Sequence, residues 1–164
     1  MMKTVIIGMG NPLLCDDGVG IRAVRALERV VGNRKDVELL ELYTGGIRLM
    51  EEMAGYDRAF VVDAMVTGRH EPGTVMPFSL ADFITTRRTN STHDTDFRLS
   101  LEMAQFLGLP IPDDIRFWGV EAVDVDSFSE ELTGPVEAAI PQIIEKILAS
   151  FFQDDRLSDS GRIE

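Results

Sequence analysis

The chain is poor in cysteine: Cys15 stands alone among 164 residues, beside two histidines and an aromatic content of 7%. A single thiol forms no internal disulfide, so the fold must rest on its core, which suits a reducing compartment. Basic residues are scarce as well. Sixteen Lys and Arg face 28 Asp and Glu, for a formal net charge of -12. That deficit argues against nucleic acid, which wants a basic face, and against docking on an anionic membrane. Long apolar runs are missing too, and none approaches the roughly 18 residues that a bilayer span needs. The opening apolar stretch is broken by Asn11-Pro12, and Leu14 is too large for the small-residue position of a lipoprotein signal. The expected setting is the cytoplasm.

What is present is the composition of an ordinary globular domain, 45% hydrophobic and 27% charged. Short apolar, turn-bounded runs predict strands at Lys3–Gly8, Val37–Leu42, Ala59–Asp63, Thr74–Phe78 and Ile115–Val120. Helical spacing links Ile21, Val24, Leu27, Val30 and Val31, with Gly32-Asn33 as a stop. Further helices are predicted over Ile47–Ala54, around Leu99, Met103, Phe106 and Leu107, and from Val136 to Phe151, the last opened by Thr133-Gly134-Pro135. Strands alternating with helices predict an α/β three-layer sandwich, a five-stranded, mostly parallel sheet with helices on both faces. Pro72-Gly73-Thr74 follows the third strand too closely for a helical crossover, so the fourth strand is expected to run antiparallel at an edge. Residues 1–152 read as one domain. Residues 153–164 read as a polar, disordered tail.

The candidate chemistry gathers where strands end. Gly8-x-Gly10 after the first strand invites a dinucleotide reading, but the fingerprint's third glycine would fall at Leu13, and two acids at the helix start repel a pyrophosphate. Asp16 and Asp17 suit helix capping on their own. Asp63 closes a buried strand and points out of the same sheet edge, where open α/β sheets bind ligands. His93 lies in a polar loop before a helix, whereas His70 reads as a surface turn. Taken together, Asp17, Asp63 and His93 make a set of two carboxylates and one imidazole. Such a set suits Zn²⁺ or Ni²⁺ better than Mg²⁺, with positions open for water or substrate. An HExxH helix is absent, which excludes an ordinary zincin.

The run from Gly8 to Gly20 (GMGNPLLCDDGVG) resembles the opening signature of the [NiFe]-hydrogenase maturation endopeptidases. Thr44-Gly45-Gly46, Val62-Asp63-Ala64, Ser91-Thr92-His93, Gly119-Val120-Glu121 and Leu132-Thr133-x-x-Val136 follow in that family's order over residues 3–150. The resemblance implies a five-stranded twisted sheet between helices. It also implies an endopeptidase that removes the C-terminal extension of a hydrogenase large-subunit precursor once nickel is inserted. By motif, the ligands for that nickel are Asp17, Asp63 and His93, which also count as the catalytic set. Asp16 is left to cap the helix, and Thr44, Gly45 and Gly46 to receive the substrate's C-terminal segment. The nickel is expected to arrive with the substrate, with Zn²⁺ or Cd²⁺ substituting in vitro. Ala122 stands where many members have proline, and Asp124-Val125-Asp126 is unusually acidic, so precursor choice is expected to differ.

Two other readings use the same residues. One is a hydrolase with Cys15 as nucleophile and His93 and Asp63 as base and orienter. The other is a nickel-dependent chaperone that binds the precursor without cleaving it.

Overall fold

The computed structural model describes residues 1–78 and 97–159, with side chains excepted at position 98 and beyond 152. His93 therefore lies outside the described residues. The strands are β1 (Thr4–Met9), β2 (Val37–Leu42), β3 (Arg58–Met65), β4 (Val75–Phe78) and β5 (Asp114–Glu121). The helices are α1 (Val19–Val31), α2 (Ile47–Met53), α3 (Phe97–Phe106) and α4 (Gly134–Asp159), and a 3-10 turn at Cys15–Gly18 precedes α1.

The five strands form one sheet in the order β2-β1-β3-β5-β4. Strands β1, β2, β3 and β5 are parallel, and β4 runs antiparallel to β5 at the edge, as its short connection requires. Pro77 within β4 fits that edge position, because proline has no N–H to give a further neighbour. Strands β1 and β3 are buried along their whole length, which is why they read as continuous apolar runs rather than alternating ones.

Successive side chains go to opposite faces of the sheet. Ile6, Phe60, Val62, Trp118 and Val120 pack with Val19, Leu27, Ile143 and Ile147 of α1 and α4. Val5, Ile7, Val61, Ile115 and Phe117 pack with Leu49, Met53 and Phe97 of α2 and α3. The three layers are the expected ones.

Strand β3 is longer than the predicted Ala59–Asp63, and at its far end it runs on through Ala64 and Met65, so Asp63 lies within the strand rather than closing it. At its start Arg58 is 1% exposed. Its Nε donates to Thr4 Oγ1 at 2.6 Å, and its guanidinium lies 4.5 Å from the Phe151 ring centre. A charged residue reads as a strand boundary in sequence, but this one is paired and stacked within the fold. At the other end α4 carries on through Asp159, past the predicted tail boundary at 153, over a stretch without glycine or proline to stop it.

Candidate functional site

The ends of β1, β2, β3 and β5 form the carboxyl edge of the sheet, and the strand order reverses around β1. Here β1 hands over to α1 through a loop that folds back on itself. Gly10 takes a φ of 134°, and a Cβ there would fall 1.9 Å from the Asp17 carbonyl oxygen. Asn11 Oδ1 accepts from Leu13 N at 3.0 Å, and Asp17 Oδ2 accepts from Asn11 N at 2.8 Å. Cys15 then adopts a left-handed φ of 49°, rare for a residue with a side chain. The start of α1 sits directly on the sheet: a Cβ on Gly20 would lie 2.4 Å from the Val62 carbonyl oxygen and 2.5 Å from that of Met9. Asp17 is thus carried in a turn that rests against the end of β3.

That end of β3 holds Asp63, which is 6% exposed. It pairs in register with Gly119 of β5. Gly119 is small for a reason, since a Cβ there would collide with Met65 and Phe78. Thr44, Gly45 and Gly46 follow β2 at the same edge, with Thr44 exposed and Gly46 at a φ of 67° leading into α2. The structure therefore brings five of the six sequence-predicted positions to one edge, and the sixth, His93, is outside the described residues. Among the described residues, no three His, Cys, Asp or Glu side chains group as a metal site.

Asp16 departs from expectation. Neither the 3-10 turn nor α1 has a side-chain cap. Asp16 instead turns inward, fully buried, to hold the loop between β5 and α4. Its Oδ2 accepts from Val123 N at 2.9 Å and Asp124 N at 3.1 Å; its Oδ1 accepts from Thr133 N at 2.7 Å. The Thr133 hydroxyl donates to the same carboxylate. A buried carboxylate needs such donors, and the backbone N–H groups ahead of α4 supply more of them than its own turn does.

Glu121 is the corresponding pin for the loop after β3. It is 2% exposed and accepts from Thr67 N, Gly68 N and the Thr67 hydroxyl at 2.9, 2.8 and 2.7 Å. The sequence reading did not give it this role. The signal available was an acid closing a buried strand.

Cys15 is 7% exposed. Burial first, then the Asp16 and Asp124 carboxylates, push its thiol above its ordinary value. That disfavours the thiolate a nucleophile needs. Asp124 is held below the usual carboxylate range by hydrogen bonds from Ser127 and Asp126.

Among the described residues no helix is long and apolar enough to cross a membrane.

A family model described as hydrogenase maturation protease matches residues 21–150. The hydrogenase 2 maturation protease of Escherichia coli strain K12 is 32% identical over 151 residues, covering 91% of this chain and 90% of its own. The hydrogenase expression/formation protein HupD of Rhizobium leguminosarum bv. viciae is 32% identical over 145 residues, covering 87% and 71%. Among solved structures, the hydrogenase maturating endopeptidase HybD from E. coli superimposes with a TM-score of 0.78 at 30% identity, covering 93% of this chain and 94% of that one.

Proposed function

The chain belongs to the hydrogenase maturation protease family, and from that premise we propose that it is the endopeptidase that trims the C-terminal extension from a [NiFe]-hydrogenase large-subunit precursor after nickel insertion. The observation that carries this reading is the seating of the Asp17 turn against the end of β3, beside Asp63, at the open edge of the sheet.

In this reading nickel is the substrate's cargo. The precursor holds it through its own cysteines and presents it to the carboxyl edge, where Asp17, Asp63 and His93 complete its coordination. Carboxylate and imidazole donors suit a borderline divalent ion. Recognition is then a test for nickel, because an unloaded precursor offers these three groups nothing to bind. Once docked, the scissile peptide lies close to the metal, which can polarise its carbonyl or activate water. Thr44, Gly45 and Gly46 receive the extension alongside. The reaction belongs in the cytoplasm.

Intact mass of the precursor, nickel-loaded beside nickel-free, tests the proposal. Loss of a C-terminal peptide from the loaded form alone is expected. That loss should vanish in Asp63→Ala and His93→Ala and persist in Cys15→Ser. Equal trimming in both forms, or full activity in both variants, would overturn it. Nickel-dependent binding without any loss of mass would instead establish the chaperone reading.

A further inference from the structure

The loop between β5 and α4, residues 122–133, carries Phe128 with 82% of its surface exposed. A phenylalanine so placed gives nothing to the core, yet the backbone that presents it is held by hydrogen bonds on both sides. Asp16 grips the loop at both ends, through Val123 and Asp124 on one side and Thr133 on the other. Its middle is zipped to the candidate site's own loop. Cys15 N donates to the Ser129 carbonyl at 2.8 Å, and Ser129 N donates to that of Leu13 at 2.9 Å. On the other flank of Phe128, Asp124 Oδ1 accepts from Ser127 N at 2.8 Å and Asp126 N at 3.0 Å. Both chain neighbours of Phe128 are thus fixed. An exposed aromatic on a preorganised backbone has the form of a binding anchor, because little ordering entropy remains to be lost on contact.

Position says what covers it. The loop is hydrogen-bonded to Asp16, the residue next to Asp17. The loop thus flanks the turn that carries Asp17, beside the path of a folded macromolecule that delivers a chain segment to Asp17 and Asp63. Leu13, 40% exposed, is a second apolar side chain on the strip zipped to Ser129. Asp124, Asp126, Glu130 and Glu131 are on the same loop, so the complementary face is an apolar recess flanked by lysine or arginine.

We propose that the 122–133 loop docks the folded body of the precursor, away from the scissile peptide, and that Phe128 is its specificity-determining anchor. The proposal rests on the function proposed above. Its test is binding of nickel-loaded precursor to the full chain, measured as Kd, with kcat and KM for trimming alongside. Phe128→Ala should raise Kd and KM about tenfold, while kcat stays within about twofold and thermal stability is unchanged. Phe106→Ala, which removes a phenylalanine 90% exposed at the end of α3, should change neither. Wild-type affinity in Phe128→Ala, or an equal loss in Phe106→Ala, overturns the inference. A wild type that binds but does not trim overturns the proposed protease activity, while the ratio of Kd values still decides the role of Phe128. A wild type that does not bind overturns both.

Discussion

Asp16 and Glu121 are both buried carboxylates that pin a neighbouring loop, yet an amide should replace one of them and not the other. At Glu121 the two backbone donors, Thr67 N and Gly68 N, share Oε1, and among the described residues Oε2 meets only the Thr67 hydroxyl. Glutamine keeps the oxygen for the N–H pair and offers its NH₂ to a hydroxyl that can rotate and accept. Glu121→Gln therefore loses only the charge assistance, about 1 kcal/mol or less. At Asp16 each oxygen takes a backbone N–H. Asparagine must point its NH₂ at a backbone donor whichever way it flips. In the better orientation that donor is Thr133 N, left facing another donor in a buried place. One lost charged hydrogen bond plus one unsatisfied group comes to about 3 kcal/mol. For a chain of this size each kcal/mol moves Tm by about 2–4 °C, so Asp16→Asn should fall by roughly 6–12 °C and Glu121→Gln by no more than about 4 °C. Urea denaturation followed by circular dichroism, with calorimetry beside it, reads both. Equal losses in the two variants, or an Asp16→Asn cost below about 1 kcal/mol, would refute the accounting of donors.

Two more predictions follow from the packing and the tyrosines. Gly20→Ala places a methyl within 2.5 Å of two backbone carbonyl oxygens, which no side-chain rotation relieves. It should cost more than about 3 kcal/mol in urea denaturation, and wild-type stability would show that α1 is not seated so tightly on β1 and β3. Burial, reinforced by its hydrogen bond to Glu38, pushes the Tyr56 phenol from 10.0 up to about 12. A raised phenol contributes stability that is fully present below pH 10 and fades as the pH rises through about 12. Ultraviolet titration should show Tyr56→Phe losing the latest phenolate step, and its alkaline stability should fall less steeply than that of the wild type. An unchanged titration would place that step elsewhere.

The strands were legible in the sequence because each is a short apolar run between turn residues, and the antiparallel edge was legible because Pro72-Gly73-Thr74 leaves no room for a crossover. Asp63 was legible as an acid in a buried strand, though β3 runs on past it to Met65, and Asp17 stands where the sequence places it, between strand and helix. Asp16 was not, because local sequence offers it a helix to cap. Its actual donors come 107 to 117 residues later, and nothing in local periodicity points that far. Arg58 was missed for a similar reason: Thr4 and Phe151, which make its burial tolerable, lie near opposite ends of the chain. Glu121 was missed as a pin because Thr67 and Gly68, which it holds, lie 54 and 53 residues earlier in the chain.

The grip of Asp16 on Val123 and Thr133 bears on how the protein is made. A ribosome delivers β1 and its loop early, but among the described residues the donors to that carboxylate lie from 123 onward. Until that stretch emerges, the Asp16 carboxylate lacks its donors, and loop closure over so long a separation is slow. Completion of this end of the sheet thus arrives as a late event of synthesis, together with the loop that displays Phe128.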